Sequence, residues 1–501
     1  MRDSRRIHRR EGFHGTIEEF QCTYILPNSP ALTVDWCDTA RVKIDVLPDL
    51  VLLEIFNFYV GREGQKVEPD EKRLYEWCTL VHVCRKWRDL VFGSPRGLGI
   101  RLWYKAELPL EEELLDIWPP FPIVIWADMQ RSWDNYDENI VAALEHNDRI
   151  GRIDLRDFPR SQLENILAAM HRPFPAMTFL QLSVDEDEIV SVIPDSFLGG
   201  SALQLQTLIL DHIPFPGLPN LLLSATHLVE LHLWRVHSVY LPPEMMLDCL
   251  SVLTRLKIFK FEFESPRRFD DLNSRHPPPP TRILLLPVLT EFWFRGLNEY
   301  SEALVARIDA PLLNKLDIIL FHEPIIDAPK LIEFIDRAPF FKPYDKANVE
   351  FFRRDVWVEL RWAYNKLLRL GISYEHSNFQ LSSLVQVCRS SFPKGFIPAV
   401  EHLKIVRFEH RGSQNSDVIR VGDSQWVELL HPFIGVKSLY ISEETVPRIA
   451  PALQELVGER VTEVLPALET ISLKSGPVHE GIADFVSARQ LSSHPISISY
   501  C

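Results

Sequence analysis

Between about residues 44 and 105, apolar positions recur at helical spacing. Leu47, Val51, Leu52, Ile55, Phe56 and Tyr59 form one stripe, and Asp49 stands in its first turn, where the helix dipole favours an acid. After the polar stretch GREGQKVEPDEK a second stripe follows: Leu74, Trp77, Leu80, Val81, Cys84, Trp87, Arg88 and Val91. This spacing predicts two short amphipathic helices whose apolar surface needs cover, from their own domain or from a partner; Val83 and Leu90 are expected inside their own small core. Beyond residue 149 the period changes. A six-residue pattern, apolar-x-x-apolar-x-apolar, returns from Ile150/Ile153/Leu155 to Leu468/Ile471/Leu473, with Leu367/Leu370/Ile372 among its members.

The middle positions of that pattern fall 23 to 36 residues apart, except for one step of 54 between Leu316 and Leu370. Leucine-rich repeats run at roughly 20–29 residues, so the pattern predicts an irregular array of that kind. In such a repeat the last two apolar positions point into a solenoid core from a short strand, and the chain returns through a helix or turn. Ser161-Gln-Leu-Glu164 before NILAAM reads as a capping box, and the stretch around Leu453 as helix. In the long step, Val349, Phe351, Val356, Val358 and Leu360 alternate, predicting an extra strand pair. SPRRFDDLNSRHPPPPT, at 265–281, reads as an inserted loop, and HPISISYC as a capping edge. The fold class expected is α/β: a helical module, then an irregular solenoid of short parallel strands and helices. The expected segments are a disordered basic tail at 1–43, the helical module at 44–105, connecting or capping helices at 106–148, the solenoid at 149–475 and a C-terminal cap at 476–501.

Strand positions between the inward ones face the concave side. Phe179, His232, Trp234, Trp293, Arg295 and Tyr440 are the substrate-binding candidates on and just after these strands, because Trp, Tyr and Arg are the side chains favoured at binding hot spots. The alternative for the two tryptophans is cover by a loop such as the proline-rich insert. The acidic run Asp185-Glu186-Asp187-Glu188 reads as a solvated loop.

Charge and composition narrow the function. Lys and Arg total 54 against 69 Asp and Glu, a net charge of −15, which repels phosphate backbones and anionic lipid and argues against a nucleic-acid or membrane-surface partner. No apolar run reaches membrane-spanning length, and the basic start MRDSRRIHRREGFHG lacks the apolar region of a secretory signal; a nuclear-import patch is its sharper alternative. Seven scattered cysteines suit a reducing compartment, so a cytoplasmic or nuclear protein is expected. The sequence has no CxxC pair, GxGxxG, GxxxxGK[ST], HExxH or GxSxG, so the expectation is a non-catalytic chain with no metal and no cofactor.

The stretches LPDLVLLEIFNFYV and LVHVCRKWRDLVF resemble an F-box. They carry Leu47-Pro48, an aliphatic helix through Leu52 and Ile55-Phe56, and a closing Val83-Cys84-x-x-Trp87. Followed by irregular leucine-rich repeats, the chain from about 44 to 501 is similar to the fungal F-box/leucine-rich-repeat family, and its C-terminal text resembles the basidiomycete members. It departs in Leu50, where the family often has an acid, and in the long insert Gly61–Lys72. The resemblance implies a substrate receptor of a cullin-RING ubiquitin ligase, with Leu47, Pro48, Leu52, Ile55, Phe56, Cys84 and Trp87 docking on the Skp adaptor and the repeats holding a protein substrate. The alternative is a leucine-rich-repeat interaction scaffold acting outside a ligase.

Overall fold

The computed structural model describes residues 47–60, 76–94, 101–105, 121–128, 137–184, 193–213, 216–236, 241–264, 283–322, 326–361, 366–374, 381–407, 423–474 and 478–500, apart from 195, 353 and 457. The basic tail, the Gly61–Lys72 insert, the acidic run at 185–188 and the proline-rich insert lie outside the described residues.

The chain is an α/β protein, with thirteen α-helices and one large, mostly parallel sheet among the described residues. It opens with three helices, α1 (Asp49–Val60), α2 (Glu76–Val81) and α3 (Arg85–Gly93). The second apolar stripe is therefore two helices. It breaks after Val81, and Cys84 is extended (φ −160°, ψ 168°) where α3 begins. Arg88 Nε donates to the Val81 carbonyl at 3.1 Å and closes the turn, which leaves Val83 57% exposed instead of buried.

The sheet starts earlier than the repeat pattern does. β1 (Leu102–Lys105) and β2 (Ile123–Asp128) precede α4 (Asp137–Leu144), so the 106–148 segment, expected to hold helices, also supplies a sheet strand. The chain then runs through β3 (Ile150–Phe158), α5 (Arg160–Ala169), β4 (Phe179–Val184), a 3-10 turn (Phe197–Gly200), β5 (Thr207–Asp211), α6 (Leu218–Ser224), β6 (Glu230–Val236), α7 (Pro243–Val252) and β7 (Ile258–Phe263). The short β8 (Leu284–Leu285) pairs apart from the main sheet with β10 (Ile308–Asp309). Between and after them run β9 (Glu291–Gly296), α8 (Asn298–Val305), β11 (Lys315–Phe321) and α9 (Pro329–Arg337).

After α9 the order inverts. β12 (Lys346–Phe351), β13 (Asp355–Arg361) and β14 (Leu367–Ser373) form an antiparallel meander that runs backwards, so β14 pairs with β11 and β12 faces onward. The strand pair expected in the 54-residue step is the middle of this meander. The parallel order resumes through α10 (Leu381–Ser390), β15 (His402–Arg407), α11 (Asp423–Leu430), β16 (Ser438–Ile441), α12 (Val446–Gln454), β17 (Thr470–Leu473), α13 (Glu480–Leu491) and the edge strand β18 (Ser497–Tyr500).

The apolar pairs do what period-two spacing requires. Ile153, Leu180, Leu208, Leu231, Phe259, Phe292 and Leu316 stand in one register row, fully buried against the helices. In the next strand that row continues with Leu368, and Leu370 aligns with Ile318. The repeat pattern thus reads β14 two residues late: Leu368, Leu370 and Ile372 are all apolar and buried, but the in-register fit would need an apolar residue at Asn365, so only the later fit is complete. The capping box at Ser161 is not formed. Pro159 already provides the extended backbone at the start of α5 (φ −57°, ψ 143°), and Glu164 is bound by Arg160 one turn away at 2.7 Å.

Candidate docking surfaces

The first surface is on α1, which is apolar all round. One side closes a small core of Leu52, Phe56, Leu80, Val81, Trp87, Val91 and Phe121, in which the Phe56 and Trp87 rings lie 4.6 Å apart. Phe121 comes from the start of the sheet, and Phe92 meets its ring at 5.8 Å, so the three helices pack against the sheet's first strands. Lys86 Nζ donates to the Leu47 carbonyl at 3.1 Å and reaches Asp49 at 3.3 Å, fastening the start of α1 to α3.

The other side of α1 carries Leu50, Val51, Glu54, Ile55, Phe58 and Tyr59, all exposed, at the i, i+1, i+4, i+5 spacing of one helix face. Leu50 is 77% and Phe58 90% exposed. Large side chains left in water this way, in one contiguous row, mark a surface that expects a partner. Of the sequence-predicted adaptor residues, Pro48 and Ile55 are exposed, Ile55 within this face, and Leu47 and Cys84 are half-buried against the small core. Leu52, Phe56 and Trp87 are in the core and support the face from below. Sequence reading missed Leu50 and Phe58, although Leu50 was visible as the apolar departure at that position.

The second surface is the sheet face opposite the helices. One register row crosses it through Asp154, Gln181, Ile209, His232, Lys260, Trp293, Asp317, Arg369, Glu359, Asn348, Lys404, Tyr440, Ser472 and Ser499. Trp234 and Trp293 meet edge-on at 4.7 Å, and His232 lies 6.0 Å from Trp234, so three of the predicted substrate residues are one cluster. Arg295 lies beside it but is engaged, donating to Asp355 at 2.9 Å and Ser373 Oγ at 2.7 Å, with Glu262 at 3.7 Å. Phe179 sits apart under the guanidinium of Arg152, at 3.5 Å, and Tyr440 is six strands from Trp293, about 30 Å at ~4.8 Å per strand.

Ion pairs dominate the middle of the face. Arg369 donates to Asp317 at 2.8 Å and to Glu359 at 2.6 Å, stacks on Trp357 at 4.7 Å, and shares the wholly buried Glu359 with Arg361. Burial pushes Asp317 up to about 6 in spite of Arg369, and Glu262 up to about 6 in spite of Arg295. The His232 imidazole is held down to about 4 by burial and by Lys260. Burial raises the thiols of Cys249 and Cys388 to about 12, well away from nucleophilic reactivity at neutral pH.

These shifts set a pH dependence. Asp317, raised from 3.8 to about 6, keeps its proton in the folded chain after the unfolded chain has lost it. Its contribution to stability is complete below pH 3.8 and is lost as pH rises through about 6. His232 acts in the opposite sense, with its contribution complete above 6.5 and lost as pH falls through about 4. In urea titrations, Asp317→Asn is therefore expected to lose less unfolding free energy than the parent as pH rises from about 4 to 7. A steeper or identical slope would contradict this.

Among the described residues no helix is long and apolar enough to cross a membrane, and no group of three or more His, Cys, Asp or Glu is placed to hold a metal ion. No protein-family model matches the chain, and no curated protein matches it.

Proposed function

We propose that the chain is the substrate-receptor subunit of a Skp/cullin/F-box-type ubiquitin ligase. In this reading α1–α3 are an F-box that docks on the Skp adaptor, and the strand–helix array is an irregular leucine-rich-repeat solenoid whose helix-free face binds a protein substrate. The observation that carries the reading is the exposed row Leu50, Val51, Ile55, Phe58 and Tyr59, lying on a helix that begins at Leu47-Pro48 and is backed by the Phe56–Trp87 core. A few large side chains leaving water together dominate interfaces of this kind.

The chemistry this asks of the chain is positional. The receptor brings a target lysine to the ubiquitin-charged enzyme and raises its effective concentration there, while the reacting thiols belong to other subunits. On the helix-free face the Trp234–Trp293–His232 cluster is the apolar anchor for the target.

Co-purification with a Skp-type adaptor tests the reading. The parent chain is expected to retain the adaptor, and Leu50→Glu/Phe58→Glu to lose it while keeping the same thermal unfolding transition. Capture undiminished in that variant would overturn the docking assignment; a scaffold acting outside a ligase would show no capture by the parent.

A further inference from the structure

The charges of the helix-free face are not distributed evenly. In sheet order from β3 to β13 its cations are matched: Arg152 and Arg156 with Asp154, Arg235 with Asp211, Lys260 and Lys315 with Glu291, Arg295 with Asp355, and Arg361 and Arg369 with Glu359. From β12 onward the matching is incomplete: Lys437 meets Glu401 at 2.9 Å and Lys474 meets Glu443 at 3.4 Å, but Lys346 and Lys404 stand apart from these pairs. Two register rows cross this end, Lys346–His402–Ser438–Thr470–Ser497 and Asn348–Lys404–Tyr440–Ser472–Ser499, and neither contains a carboxylate. Lys346, His402 and Lys404 are exposed, and among the described residues neither lysine has a carboxylate within ion-pair distance.

Two of the neighbouring acids are engaged elsewhere. Glu401 is taken by Lys437 at 2.9 Å, and Glu350 accepts the Trp357 indole N–H at 3.3 Å. On a chain of net charge −15, Lys346 and Lys404 are thus two neighbouring cations without an acid partner among the described residues, Lys404 lying over the Tyr440 ring at 5.1 Å, with hydroxyls on the strands beyond.

We infer that this end of the sheet binds an extended anionic segment of a partner protein, rich in Asp and Glu or phosphorylated. Lys346 and Lys404 stand on adjacent strands two residues apart, so about 8 Å separates their backbones, and an extended peptide presents same-side groups at about 7 Å. Two acidic side chains of one strand-like segment thus reach both ammonium groups, while Tyr440, Ser438 and Thr470 supply O–H donors beside them. The inference rests on the receptor reading by naming the chemistry of its substrate, but it uses residues at the end of the sheet away from α1–α3.

The test is fluorescence anisotropy on the full chain. The probes are a fluorescein-labelled peptide alternating Glu and Ser, the same peptide phosphorylated on serine, and a single-stranded RNA of equal net charge. The parent is expected to bind the peptides with an affinity that weakens as salt is added. Lys346→Glu/Lys404→Glu is expected to bind about tenfold more weakly or worse, and Lys346→Arg/Lys404→Arg to keep parental affinity. Tighter binding of the phosphorylated peptide would assign phosphate as the preferred group, and equal binding would assign carboxylate. Unchanged peptide binding by the Glu variant, no peptide binding by the parent, or RNA bound more tightly than either peptide would each overturn the inference. Adaptor capture by the same preparations separates the two claims. Capture without peptide binding leaves the receptor reading standing and removes this one; peptide binding without capture does the reverse.

Discussion

Trp87→Ala is expected to cost about 3–5 kcal/mol and to unfold the three-helix module ahead of the sheet. The indole is buried against Phe56 in a core of seven buried side chains among the described residues, one of them borrowed from the start of the sheet. Domains are stable by only about 5–15 kcal/mol, so a core this small has no reserve to absorb the loss of its largest ring. Among the described residues the Trp87 indole N–H has no hydrogen-bond partner, so its role is volume. Trp87→Phe should accordingly retain most of the stability that Trp87→Ala loses. Hydrogen exchange resolves the two cases: amides of residues 49–60 should exchange early in the alanine variant while the strands from β3 onward stay protected. Uniform protection in Trp87→Ala would show that the core is not where the structure puts it.

The second large effect is at the other end of the molecule. Arg489, on α13, is fully buried with no carboxylate beside it among the described residues, and burial lowers its pKa. Its guanidinium donates to four backbone carbonyls, those of Val461, Leu465, Pro466 and Leu468, at 3.2–3.3 Å. One of these belongs to Leu465, a buried residue held at φ +48°, a backbone region that costs a branched side chain energy. A planar fork with five donors serves four carbonyls at once; an ammonium on a single stem does not. Arg489→Met removes the buried charge but strands the carbonyls, and Arg489→Lys keeps the charge without the reach. Both are expected to cost about 3 kcal/mol or more, read as a lower denaturant midpoint and early exchange in α13 and β18. An unchanged midpoint would mean that water replaces the guanidinium without loss.

Much of the sheet was legible because each strand carries its own evidence. Two apolar residues two apart, returning every few tens of residues, predict an inward pair whatever the neighbours are, and pairs such as Leu208/Leu210 and Phe292/Phe294 are buried accordingly. What was not legible depends on neighbours. The pairing of Arg369 with Asp317 joins residues 52 apart and exists only because the meander turns β14 back against β11. No local pattern announces that reversal, although the alternation of Trp357, Glu359 and Arg361 with Val356, Val358 and Leu360 does reveal a strand with one polar face. The same limit applies to α1. Its sequence is apolar on every side, so periodicity could not separate Leu52 and Phe56, which face inward, from Leu50 and Phe58, which face water. Arg295 stood out by residue type as a binding candidate, but its charge is committed to Asp355 and Glu262.

The proposed receptor role rests on α1 keeping one apolar face for a partner. Calorimetric titration of the full chain with a purified Skp-type adaptor measures this directly. The parent should bind with a negative heat-capacity change, the mark of apolar surface leaving water, and Leu50→Glu/Phe58→Glu should give no binding heat while unfolding at the parental temperature. Equal affinity in the parent and the folded variant, or no binding by the parent, would contradict it.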